Sequence, residues 1–192
     1  MPRRRVAHHA VLVALAGLIP FPFVDTWIQR RLRAELVAQL GRHHDQPLDA
    51  TQVRTLSADR ANLLLGCVVG VVWWPIKKLF RKIIYVLTIK DAIDAASDTW
   101  LQGEMVGRAL RAGALPEQAE GVRTAMDAAM KTHARSPLWG PRKKVNGSLT
   151  EPEDSVTIKV VASVAQRGGG LAVLEEFDRA LALLLADHPD RD

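Results

Sequence analysis

The sequence predicts an all-α protein, a helical bundle with two short apolar, membrane-dipping helices and a helical hairpin at its carboxyl end. Three observations carry this prediction. Apolar residues recur at three- and four-residue spacing along most of the chain, the period of a helix with one buried face. Two runs, residues 10–24 and 63–76, carry no charge at all, yet are too short for a straight crossing, which takes about 20 apolar residues. The charge is also divided unevenly: residues 1–90 hold 14 Lys and Arg against 5 Asp and Glu, and residues 91–192 hold 12 against 16. With 24% charged and 48% apolar residues in 192, the composition excludes wholesale disorder and a fully lipid-embedded bundle.

At the amino end, Arg3, Arg4 and Arg5 precede an apolar stretch from Val11 to Ile19, which has the outline of a secretory signal. No small-x-small cleavage site follows. Instead Pro20 and Pro22 break the run, because proline lacks a backbone donor and disfavours helix in the residue before it. Residues 28–40 then read as an amphipathic helix of the mature protein.

Both apolar runs are basic on both flanks. Arg3, Arg4 and Arg5 precede the first, and Arg30, Arg31 and Arg33 follow it; Arg54 and Arg60 precede the second, and Lys77, Lys78, Arg81 and Lys82 follow it. A crossing helix shows asymmetric Lys and Arg, so this symmetry predicts re-entrant or surface-lying segments with both ends on the cytoplasmic face. Trp73 and Trp74 beside Lys77, Lys78, Arg81 and Lys82 match the headgroup level, where indole rings and snorkelling cations meet. The expected lipid-binding set is Arg3, Arg4, Arg5, Arg30, Arg31, Trp73, Trp74, Lys77, Lys78, Arg81 and Lys82, with anionic lipid as the partner. Nucleic acid is not expected, since an uncharged run beside the basic cluster has no use in its grooves. Gly66 and Gly70, and again Gly103 and Gly107, have the GxxxG spacing that lets helices approach closely. Cys67, alone in the second run, reads as a small buried hydrophobe.

Residues 83–110 read as one or two helices with Ile93, Ala96, Trp100, Gly103, Gly107 and Leu110 on one face, and Asp91, Asp94 and Asp98 as a neighbouring acidic face. Gly113 stops this helix and Pro116 opens the next, to about Ala134, with Val122, Met126, Ala129 and Met130 buried and Asp127 and Lys131 as an exposed pair. Residues 136–149, rich in turn formers and containing Trp139, read as a linker between a membrane-associated domain of residues 1–135 and a hairpin of residues 150–192 that packs on or beside it. In that hairpin, Thr150 and Glu153 fit a capping box for a helix to about Gln166. A strand over 156–160 is the runner-up. Gly168, Gly169 and Gly170 permit the reversal, and Leu171, Leu174, Leu181, Leu184 and Leu185 mark the last helix.

No nucleophile elbow, zinc-protease motif, dinucleotide fingerprint or Walker sequence is present, so no catalytic residue, cofactor or metal is expected. The pairs His8-His9 and His43-His44 lack the spacing of a chelating helix. From Val11 to Leu110 the order of elements resembles the YcjF-type helical domain, a membrane-associated bacterial family linked to GTPases, with EcsC-like proteins as a looser comparison. The residues that carry it are the segment from Gly17 to Asp25, the amphipathic helix ending at Leu40-Gly41, and the apolar run closed by Lys77-Lys78-Leu79-Phe80-Arg81-Lys82. Where that family has a further Gly-rich apolar hairpin, this chain has Asp91, Asp94 and Asp98. The resemblance implies a protein on the cytoplasmic face of the bacterial inner membrane, acting through a protein partner, a GTPase or a second copy of itself. The expected function is a non-enzymatic membrane adaptor or scaffold; the alternatives are a soluble helical protein-binding module and an enzyme with an unrecognised site.

Overall fold

A computed structural model describes residues 2–18, 24–58, 81–134, 137, 148–151 and 154–187. Among these residues the protein is all-helical, without a strand: α1 Pro2–Gly17, α2 Val24–His43, α3 Ala50–Ser57, α4 Arg81–Arg111, α5 Ala119–His133, α6 Val156–Arg167 and α7 Gly170–Ala186. The second apolar run, with Gly66, Cys67, Gly70, Trp73, Trp74, Lys77 and Lys78, lies outside the described residues, as do Pro20, Pro22, Trp139 and Glu153.

The central element is α4, whose 31 residues make a rod about 46 Å long. Its expected stripe is buried at Ala96, Trp100, Gly103, Gly107 and Leu110, but Leu101, Met105, Val106 and Ala109 are buried as well. The reason is that α1, α2, α5, α6 and α7 all pack around it. The most extensive contact is with α1, which buries Ala7, Ala10, Val13 and Ala16 at three-residue spacing. Val6 meets α4 at Gly103 and Gly17 meets it at Ala92, so the two helices run antiparallel. A Cβ at Gly103 would sit 2.6 Å from Val6 Cγ1, which makes glycine the residue that allows this crossing.

The short helix α3 lies where the sequence predicts no element. Asp49 caps it: Gln52 N donates to Asp49 Oδ1 at 2.8 Å and Asp49 N donates to Gln52 Oε1 at 2.8 Å, a reciprocal capping box. At its other end the Leu56 carbonyl, left without a helical donor, accepts from Gln102 and from Arg123 Nη1 at 3.2 Å. Arg123 also forks Asp127, at 2.7 and 2.9 Å. Asp127 is therefore paired one turn back, to Arg123, and not forward to Lys131.

Gly113 stops α4 in the left-handed region, φ 71°, where Ala114 N closes back on Ala109 O at 3.0 Å. The Leu115–Pro116 bond that follows is cis, and Pro116 falls in the turn before α5 rather than in its first turn. In the last hairpin, α6 begins at Val156, several residues after the expected Thr150 cap, and residues 156–160 are helical. Gly169, at φ 88°, reverses the chain against the end of α5, where a Cβ would lie 2.6 Å from the His133 carbonyl oxygen. One contiguous core joins Val6 and Ala10 of α1 to Ile158 of α6 and to Phe177 and Leu181 of α7, so the hairpin shares its hydrophobic interior with the elements before residue 135. Each fully buried side chain of the size of Leu or Phe contributes about 1.5–3 kcal/mol to that assembly.

Candidate functional site

Two surfaces stand out, one at each end of the α1/α4 pair. At the first, α1 has turned its alanines inward, which leaves Leu12, Leu15 and Leu18 exposed on its outer side. Trp27, in the second turn of α2, is 63% exposed, and the Arg31 guanidinium lies 5.9 Å from its ring centroid. Arg30 and Arg31 are both at the surface. Because Gly17 abuts both Gln29 and Ala92, the end of α1, the start of α2 and the first half of α4 converge here. From Ala92 the helix α4 continues toward its own amino end by about 16 Å, carrying the backbone of Arg81 and Lys82 past the end of α1.

At the opposite end Arg3 is turned into the molecule. Its guanidinium lies 5.6 Å from the Trp100 ring centroid, its Nε donates to Glu104 Oε1 at 3.3 Å, and its Nη1 is 2.6 Å from Glu151 Oε1 and 3.3 Å from Asp154 Oδ2. Nη2 donates to the Leu149 carbonyl. The Asp154 side chain is only 8% exposed and that of Glu104 13%, so this cation neutralises carboxylates largely removed from water. A lipid headgroup at Arg3 would have to displace these partners. Arg4 and Arg5, one and two residues on, are rotated outward and exposed.

Beside this cluster a cleft of about 990 Å³ opens between α1, α2, α4, α6 and α7. Val6, Leu40, Gly107, Ile158, Leu174 and Leu181 give it an apolar floor. Arg4, Arg108 and Arg111 stand along it, and of these Arg108 is paired with Asp178. Of the two described glycines among the four expected to pack helices, Gly103 holds the α1 crossing, whereas a Cβ at Gly107 would meet only Arg111 Nη1, at 3.6 Å. Trp100 also lines the cleft; it is 0% exposed and its Nε1 has no hydrogen-bond acceptor. His44 is close enough to feel the charges of His43 and Arg111; burial, first, and then these neighbours hold its pKa below the ordinary 6.5.

The acidic face of α4 is spent locally. Lys90 Nζ lies 2.6 Å from Asp94 and 3.7 Å from Asp91, and Asp98 acts on the half-buried Arg33, whose pKa is lowered chiefly by desolvation. Among the described residues no three His, Cys, Asp or Glu side chains are grouped to hold a metal ion. The Arg3 partners were missed in the sequence. The signal for one of them was present: Glu104 follows Trp100 by one helical turn, a carboxylate on an otherwise apolar face. No protein family, curated protein or solved structure matches this chain.

Proposed function

We propose that the protein is a non-enzymatic adaptor that rests on the cytoplasmic face of a membrane, the bacterial inner membrane, with its Trp27 end against anionic lipid and the remaining surface free for a protein partner, a GTPase or a second copy. The observation that carries this reading is the exposed Trp27 under the Arg31 guanidinium, on the end where Leu15 and Leu18 are also exposed. An aromatic ring, aliphatic side chains and cations at one level suit the boundary between headgroups and acyl chains. In the chain the uncharged residues 63–76, followed by Lys77 and Lys78, lead into α4, which opens on Arg81 and Lys82. Among the described residues no helix is long and apolar enough to cross a membrane, which is compatible with a surface-resting protein. The resemblance of residues 11–110 to YcjF-type domains points the same way.

Co-sedimentation with vesicles of phosphatidylcholine and phosphatidylglycerol tests the lipid half. At roughly 1 kcal/mol for each basic residue near the surface, changing Lys77, Lys78, Arg81 and Lys82 together to Gln should weaken binding about a thousandfold at low salt. Trp27→Ala should weaken it further, and unchanged binding in both variants rejects the reading. Orientation is tested by Gln46→Cys and Gly147→Cys, each in a Cys67→Ala background. Both thiols should resist a membrane-impermeant reagent in intact cells and react after lysis; labelling of either in intact cells would place part of the chain across the bilayer.

A second reading, a soluble helical binding module, is favoured by the single contiguous core and the open cleft at the Arg3 end. Failure to associate with vesicles of any composition would select it.

A further inference from the structure

We infer that the cleft at the Arg3 end takes a single-chain amphiphile with an oxyanion head, its chain on the apolar floor and its head at Arg4 and Arg111. Two independent observations lead there. The cleft, about 990 Å³, is at the upper end of the range of small-molecule sites, and its floor is built from Val6, Leu40, Ile158, Leu174 and Leu181. It exists partly because α4 has no side chain at Gly107, where a Cβ would find open space apart from the flexible end of Arg111.

The second observation is charge. Four arginines line the cleft: Arg3 is engaged by Glu104, Glu151 and Asp154, and Arg108 by Asp178. Arg4 and Arg111, both exposed, have no carboxylate partner among the described residues. Three carboxylates around one guanidinium leave the Arg3 side negative, so an anionic head is repelled from there and drawn to Arg4 and Arg111. That asymmetry fixes the direction in which the ligand lies.

The ligand class is therefore a fatty-acid carboxylate or a monoalkyl phosphate, which share an oxyanion on a single aliphatic chain. This inference does not rest on membrane docking, which uses the other end of the bundle.

Isothermal titration of the full chain with decanoate and with decyl phosphate, both below their micelle concentrations, tests it. One-to-one saturable binding is expected for at least one of them, and the tighter of the two identifies the head. Binding should be at least tenfold weaker for 1-decanol, which lacks the charge, and for acetate and inorganic phosphate, which lack the chain. Arg4→Gln with Arg111→Gln should weaken it at least tenfold, and Gly107→Leu, which fills the floor, should abolish it. Arg30→Gln with Arg31→Gln should leave it unchanged. Absence of saturable binding, equal affinity for 1-decanol, or undiminished affinity in a folded Gly107→Leu protein overturns the inference. Should Gly107→Leu not fold, the surface pair Arg4→Gln and Arg111→Gln decides, since neither side chain holds the core together.

Discussion

The two ends of α4 meet opposite surroundings. At the Ala92 end, apolar and aromatic side chains of α1 and α2 face outward and the nearby cations lie at the surface; at the Gly103 end, cations and carboxylates are drawn inward around Trp100 and an apolar cleft. One end presents what a core normally hides, and the other hides what a surface normally presents. Charge buried with its partners acts through position and is hard to remove, whereas charge on a surface acts through the field it projects and is cheap to change.

The largest effect on stability is expected from Arg3→Met, which keeps the packing over Trp100 and leaves Glu104 and Asp154 without their cation. Losing one partner of such a cluster costs about 3 kcal/mol. Urea denaturation should show this loss while vesicle binding stays within a factor of a few of the parent; an unaffected midpoint would break the contrast between the two ends. The GxxxG pair gives the next test. Gly103→Ala forces Val6 away from a position 2.6 Å from the new Cβ and should destabilise by about 2 kcal/mol, the scale of overpacking. Gly107→Ala, with open space before it, should instead stabilise by about 0.5–1 kcal/mol through helix propensity alone. Equal effects at the two glycines would mean that the cleft is closed in solution.

The smallest expected effect concerns His44. Its pKa lies below 6.5 in the folded chain, so the unfolded chain binds more protons between the two values and stability rises with pH through that window. Acidification from pH 7.5 to 5.5 should therefore lower the melting temperature, and His44→Gln should reduce that drop. An identical drop in both proteins would show that neither burial nor the charges of His43 and Arg111 perturb this residue.

Much of the fold was legible because its signals are local. The Ala96, Trp100, Gly103 and Leu110 stripe of α4, the Val122, Met126, Ala129 and Met130 stripe of α5 and the glycine reversals at Gly113 and Gly169 each follow from a few consecutive residues. The capping box of α3 was equally local, Asp49 and Gln52 before Val53 and Leu56, but eight residues between a loop and an apolar run gave no periodicity to notice. Competing partners displaced other expectations. Glu151 and Asp154 serve Arg3 where a helix from Thr150 was expected, and Arg123, anchored on the Leu56 carbonyl, takes the Asp127 that Lys131 was expected to hold. The cleft was not legible at all. Its walls come from helices separated by up to 150 or so residues, and nothing near Arg3 in the chain reveals that the helix turns this arginine inward and the next one out.

The seating of Arg3 also bears on the order in which the chain is made. Its partners Glu104 and the Leu149 carbonyl lie 101 and 146 residues further along, so α1 leaves the ribosome long before the helices it packs against. At translation rates of about 5–20 residues per second, roughly 5–20 seconds separate the first helix from α4. During that interval α2 is, among the described elements that contact α1, the one already synthesised. Although it is made before α4, α1 is thus among the last helices to reach its final place. A nascent chain in that state offers the alanine stripe of α1, with Arg3, Arg4 and Arg5 beside it, to whatever chaperone or membrane surface stands nearest the exit.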